Sequence, residues 1–116
     1  MNVTGPTGAA SSGLRSLLHG LWLPLITPFR NGALDETSLK RLVRHYTNKP
    51  IDGLILAATS GEGMTLDDDE LTRIVALTRA ELVESKRSLP ICLGLSGSNT
   101  RSLCRTLEET AAWPID

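Results

Sequence analysis

Aromatic side chains are scarce in this sequence: Phe29, Tyr46, Trp22 and Trp113 are the only ones in 116 residues. Stacking nucleobases takes an aromatic platform set in a basic field, and a formal net charge of −1 supplies no such field, so no nucleic-acid partner is expected. Cysteine is equally rare. Cys92 falls in an apolar run and Cys104 in a helical one, with neither CxxC spacing nor histidines placed to complete a zinc site. Both therefore read as reduced, buried or half-buried thiols, and no metal is expected. No apolar run approaches the length of a membrane span, and Met1 to Ser12 lacks the apolar core of a secretory signal. The expectation is a cytoplasmic protein with no membrane partner. Acidic residues are missing before Asp35, and residues 1–19 are rich in Gly, Ser, Thr and Ala, which predicts a flexible extension ahead of a single domain over 20–116.

What is present is an alternation of two patterns. Leu21 to Thr27 is a short apolar run stopped by Pro28 and the turn-forming Asn31-Gly32 pair, which reads as a first strand. Pro24 cannot donate a ladder hydrogen bond, so the paired part of that strand is expected at or after it. Asp35 suits a helix N-cap, and Leu39, Leu42, Val43 and Tyr46 follow at helical spacing until Lys49-Pro50 closes the segment. Gly53 to Ala57 reads as a second strand. Leu71, Ile74, Val75, Thr78 and Leu82 then predict a helix to about Ser85, with Asp67, Asp68, Asp69 and Glu70 favouring its positive amino end and Lys86 and Arg87 its carboxyl end. The acidic run thus has a structural explanation and needs no metal. Pro90 to Leu95 reads as a third strand, and Ser96 to Asn99 as loop and cap before a helix whose stripe is Leu103, Leu107 and Ala111 and whose stop is Pro114. Three strand-helix units in a row, with near-continuous apolar strands, predict an α/β fold with a parallel sheet covered by helices.

In such folds ligands bind at the carboxyl ends of the strands, which draws attention to Ala58-Thr59-Ser60-Gly61-Glu62-Gly63 after the second strand. Thr59 and Ser60 offer two adjacent hydroxyls there. Gly61 is expected to need left-handed backbone freedom. Glu62 is read as a carboxylate bonded to loop amides rather than a catalytic acid, and His45 and His19 as solvated or packed imidazoles rather than bases. Other chemistries fail on their own spacing. Gly94-Leu95-Ser96-Gly97-Ser98 misplaces the second glycine of a nucleophile elbow. Gly61-Glu62-Gly63 begins a dinucleotide fingerprint that breaks at Leu66, and no phosphate-binding Gly-Lys-Ser/Thr occurs, so no cofactor is expected.

Thr27-Pro28-Phe29 at the end of the first strand and Thr59-Ser60-Gly61-Glu62 at the end of the second, a helix apart, resemble the amino-terminal part of the dihydrodipicolinate synthase and N-acetylneuraminate lyase family. Gly20, the Asn31-Gly32 turn, Asp35 and Asp69-Glu70 share in the resemblance, which covers nearly everything after the extension. It implies a (β/α)8 barrel of about 250 residues, of which this chain would be the first three units. It also implies an enzyme that joins or splits pyruvate and a small aldehyde through a lysine Schiff base, a class I lyase of the dihydrodipicolinate synthase type. By the same resemblance Thr59 is the catalytic hydroxyl linking two tyrosines in a proton relay, and Ser60 with its backbone amide holds the pyruvate carboxylate. Family members commonly have threonine at the second place, so Ser60 keeps the hydroxyl and loses a methyl. The Schiff-base lysine and both relay tyrosines belong to later units, and none of Lys40, Lys49 and Lys86 takes the lysine's role. The places that bind regulatory lysine in many bacterial members hold Asp68, Ser98 and Ser102 here, which puts such feedback in question. The alternative expectation is a catalytically incompetent partial barrel that is inert, structural or completed by another polypeptide. Open edges on the first and third strands predict a homo-oligomer or edge-to-edge association.

Overall fold

Residue 13 and residues 15–116 are described by the computed structural model, so the expected extension over 1–19 falls mostly outside the described residues. The elements are β1 (Trp22–Pro24), β2 (Phe29–Arg30), β3 (Ala33–Leu34), α1 (Glu36–Thr47), β4 (Gly53–Leu56), a 3-10 turn (Gly63–Thr65), α2 (Asp68–Glu84), β5 (Ile91–Leu93) and α3 (Thr100–Thr110). Strands β1, β4 and β5 form a parallel sheet in that order, and β2 pairs with β3 as a separate antiparallel hairpin. This is the α/β arrangement expected, three strand-helix units of a partial barrel.

The first strand pairs earlier than Pro24 suggested. Trp22, Leu23 and Pro24 stand opposite Gly53, Leu54 and Ile55. Leu25 N–H donates to the Ile55 carbonyl at 2.9 Å. Successive residues of a strand turn their bonding groups to opposite sides, so Leu23 and Leu25 face β4 and the proline's missing N–H faces the open edge, where it costs nothing. The Asn31-Gly32 pair does more than end a strand. Both residues have positive φ (52° and 80°), the backbone of a tight two-residue hairpin, and they join β2 to β3.

Helix starts follow their capping chemistry. Asp35 accepts the Ser38 N–H at 3.1 Å, and its other oxygen accepts the Ser38 hydroxyl at 2.8 Å and Arg30 Nε at 3.0 Å. These donors favour the ionised form, the Ser38 amide most, and bring the carboxyl pKa down to about 2. Asp67 and Glu70 form a reciprocal capping box at the start of α2. The two helices are stitched together at both ends. Arg73 grips Glu36 through two nitrogens, Arg44 grips Glu81 likewise, and each pair is 37 residues apart in sequence. A constant offset means the helices run parallel and in step, as consecutive βαβ crossovers require.

The core lies between these helices and one face of the sheet: Leu39 and Val43 of α1, Ile74, Val75 and Leu82 of α2, and Leu54, Leu56 and Ile91 of the strands are all buried. Thr78 is wholly buried among them, and its Oγ1 has no hydrogen-bond partner among the described residues. The opposite face of the sheet carries Pro24, Ile55 and Cys92 side by side, with Pro24 and Cys92 exposed and Ile55 half-buried. A shallow depression of about 270 Å³ on it is lined by Leu18, His19, Gly20, Trp22, Ile55 and Cys92.

Three expectations need correction here. Cys92 and Cys104 are exposed rather than buried or half-buried. Cys92 alternates with the inward-pointing Ile91 and so faces the open side. Cys104 belongs to α3, of which Thr110 alone is buried. The expected buried stripe of α3 does not form: Leu103 is half-buried, Leu107 is 60% exposed and Ala111 is exposed, and the parallel sheet has no further strand beyond β5 among the described residues. Strands β4 and β5 are also shorter than the apolar runs, β4 stopping where Ala57 turns left-handed at φ 55°.

Candidate functional site

The chain leaves β4 through a turn that is held by its own backbone. Gly61 and Gly63 N–H groups both donate to the Ala58 carbonyl, at 3.0 and 3.1 Å, and Glu62 N–H donates to the Thr59 carbonyl at 3.1 Å. None of these bonds uses the hydroxyls of Thr59 or Ser60, and both residues are exposed. The turn is bracketed by Ala57 and Glu62, two non-glycine residues in the left-handed region. A bulkier residue in that region costs about 1–2 kcal/mol, and such costs gather where the chain presents groups for binding or chemistry.

Thr27 anchors this turn from the neighbouring strand. It is buried at the carboxyl side of β1, and its Oγ1 donates to the Gly61 carbonyl at 2.6 Å. The Thr-Pro-Phe and Thr-Ser-Gly motifs, separated by a helix in sequence, thus meet across one hydrogen bond. Nothing in the residue order assigns Thr27 that part; the signal was only its position at the end of an apolar strand. Gly61 has a role different from the one expected. Its φ is not in the left-handed region. A Cβ there would stand 2.8 Å from the Leu25 carbonyl oxygen and 3.1 Å from Ala57 N, so the glycine is required by close backbone packing. Gly94 repeats this from the other side, where a Cβ would lie 2.7 Å from the Ala57 carbonyl oxygen.

Glu62 is exposed and makes no capping hydrogen bond with its side chain, so it does not tie down the loop amides as expected; its carbonyl accepts from Thr65 instead. Thr59, Glu62, Gly63, Met64, Thr65 and Ser96 line a cleft of about 270 Å³. Met64, Thr65 and Ser96 were not singled out for this site from sequence, Ser96 having appeared there only as a loop residue and in a rejected nucleophile elbow. Ser60 sits next to Thr59 on the turn, outside that lining. His45 is away from the site, exposed on α1 with its ring edge-on to Tyr46 at 4.9 Å between centroids. The three lysines lie on α1 or in the connections after α1 and α2. Among the described residues no three His, Cys, Asp or Glu side chains converge to hold a metal ion. No helix among them is long and apolar enough to cross a membrane.

The arrangement is therefore a pair of exposed hydroxyls on a hydrogen-bonded turn at the carboxyl ends of parallel strands, with Thr65 and Ser96 lining the same cleft as Thr59. Such groups can donate and accept at once, which suits proton relay and the binding of a carboxylate or carbonyl oxygen.

The chain is similar to several proteins named as synthases. A 4-hydroxy-tetrahydrodipicolinate synthase 2 of Clostridium acetobutylicum is 38% identical over 92 residues, which is 78% of this chain and 31% of that protein. The solved dihydrodipicolinate synthase of Thermotoga maritima superimposes with a TM-score of 0.77 at 26% identity, over 85% of this chain and 32% of that one. The 4-hydroxy-tetrahydrodipicolinate synthase of Methylacidiphilum fumariolicum SolV gives 0.75 at 28% identity, over 85% and 32%. The chain thus spans about a third of the length of the relatives it matches. The model of the dihydrodipicolinate synthetase family matches residues 17–110, and with that match, this fold and these relatives, the chain belongs to that family.

Proposed function

We propose that this chain supplies the first three βα units, and the pyruvate-gripping part of the site, of a class I Schiff-base lyase that condenses pyruvate with a small aldehyde, of the 4-hydroxy-tetrahydrodipicolinate synthase type. The observation that carries the reading is the turn after β4: its backbone is pinned by Thr27 and by its own amides, while the Thr59 and Ser60 hydroxyls are left exposed. In this reading Ser60 donates its hydroxyl and backbone amide to the carboxylate of pyruvate. Thr59, one residue earlier, passes a proton between two phenols, since a hydroxyl can accept and donate in the same step. Rigidity matters because a fixed donor loses little entropy when the substrate binds and holds the oxoacid in the attacking geometry. The amine that forms the imine is contributed from outside these 116 residues, as Lys40, Lys49 and Lys86 belong to helices and the connections after them.

A second reading concerns the 116-residue chain on its own: a partial barrel that is catalytically incompetent until another segment or chain completes it. The partly exposed apolar face at Trp22, Ile55 and Cys92 favours it. One experiment tests both. Pyruvate is titrated into labelled protein and amide shifts are read, then borohydride is added and the mass measured. The expected outcome is a shift of the Ser60 and Gly61 amides that Ser60→Ala weakens severalfold, with no pyruvyl adduct. Undisturbed rim amides would refute the binding role, and a covalent adduct would refute the assignment of the amine elsewhere.

A further inference from the structure

The connections that follow α1 and α3 end in the same tripeptide, Pro50-Ile51-Asp52 and Pro114-Ile115-Asp116. Their backbone bonds and aspartate bonds follow one pattern. Each helix is closed by a bond three residues back, Lys49 N–H to the Tyr46 carbonyl and Trp113 N–H to the Thr110 carbonyl, both at 3.0 Å. Across each proline runs a three-residue turn, Ile51 N–H to the Lys49 carbonyl and Ile115 N–H to the Trp113 carbonyl, both at 2.8 Å. Each aspartate then bonds in both directions to one residue at the head of a neighbouring strand. Asp52 N–H donates to the Leu21 carbonyl at 2.7 Å and its carboxylate accepts the Leu21 N–H at 2.6 Å. Asp116 N–H donates to the Ile91 carbonyl at 2.9 Å and its carboxylate accepts the Ile91 N–H at 3.0 Å.

An arginine staples each copy. Arg87, just past α2, donates to the Ile51 carbonyl at 2.9 Å and also to the Thr47 carbonyl at the end of α1. Arg79, on α2, donates to the Pro114 carbonyl at 3.0 Å and to the Asp116 carboxylate at 2.7 Å. The isoleucines complete the correspondence, Ile51 buried and Ile115 packed against the core. The connection after α2 is built otherwise. It turns through a left-handed Lys86 and carries Pro90-Ile91-Cys92, with the Pro90 carbonyl accepting the Leu54 N–H directly.

We propose that the arginine-stapled Pro-Ile-Asp segment is a duplicated strand-start clamp that sets the level at which successive parallel strands begin. A slip of one residue would turn every side chain of a strand to the wrong face, so the register has to be held somewhere. The apolar strands are too short to do this by pattern alone, β1 and β5 having three residues each. A carboxylate that accepts a strand's first free N–H while its own N–H engages the same residue's carbonyl fixes the level with two bonds, one of them charge-assisted. By setting β4 against β1, the Asp52 copy also sets the opposite rim, where Thr27 meets the Gly61 carbonyl.

Amide hydrogen exchange on the 116-residue chain tests the equivalence of the two copies. In Asp52→Ala the Leu21 amide is expected to exchange roughly ten- to hundredfold faster while Ile91 keeps its protection, and in Asp116→Ala the reverse. Asp52→Asn and Asp116→Asn, which keep an acceptor oxygen, should fall between wild type and the alanine variants. Unchanged protection in the alanine variants, or simultaneous loss at both amides in either one, overturns the proposal. A wild-type Leu21 or Ile91 amide that exchanges like an unprotected one overturns it without any variant.

Discussion

The two faces of the sheet are made from adjacent residues of the same strands, yet they live in different surroundings. Leu54, Leu56 and Ile91 point at the helices and are at most 1% exposed, whereas Cys92, next to Ile91 on β5, and Pro24 of β1 face the open side beside a half-buried Ile55. Ile55 is as apolar as Leu54 and Leu56 on either side of it, yet only those two are fully buried. What separates them is whether α1 and α2 cover that face, so an apolar strand residue here says that a sheet exists without saying which side is closed. The closed face supplies stability. The open one is a surface that another segment or chain can bury, which gives the expectation of association its physical basis.

The sharpest way to break this contrast is to remove the same kind of side chain from each face. Leu54→Ala should destabilise the chain by about 2–5 kcal/mol, the range for a truncated core residue, while Ile55→Ala should cost under about 1 kcal/mol, both read from urea midpoints. Equal losses would mean that the open face is covered in solution. Gly61→Ala comes next, with an expected cost of about 1–3 kcal/mol because the added methyl runs into the Leu25 carbonyl rather than into a movable side chain. Thr78→Val should act in the other direction, raising stability by about 1 kcal/mol, since it removes a buried hydroxyl with no partner among the described residues and keeps the branched shape.

The smallest expected effect is that of Asp35. Its folded pKa, about 2, lies below the ordinary value of 3.8, so its contribution to stability is complete above roughly pH 4 and fades as the pH falls toward 2. Wild type and Asp35→Asn should therefore converge in urea midpoint on acidification across that window. A difference that persists at the acid end would show that the carboxylate's charge is not what caps α1.

Much of the fold was legible because local chemistry and helix periodicity agree. Asp35 caps the helix it was expected to cap and Asn99 ends the segment expected to supply the cap of α3, while Asp67, expected in the acidic first turn, instead caps α2 through a box that its spacing from Glu70 makes possible. The family was legible because two short motifs stand a helix apart, and neither would carry that weight alone. The errors share a cause. Burial of Cys92 and of the α3 stripe was inferred from apolar surroundings in sequence, but burial depends on what lies across from a residue in space. Gly61 was read as a conformational requirement when it is a steric one, and only the approach of the Leu25 and Ala57 backbones reveals the difference.

By itself the residue order determined the three helices, the approximate places of the three parallel strands though not the β2–β3 hairpin, and that two hydroxyls follow the second core strand. These are consequences of spacing and of bonds between near neighbours, which act wherever the chain lies. The tertiary structure alone decided that Thr27 pins the Thr59 turn and that Arg44 and Arg73 keep two helices in step. It decided likewise that Asp52 and Asp116 do one job in two places. Each of these joins groups 25 to 37 residues apart along the chain, and at that distance no periodicity specifies a partner until the sheet has brought them together.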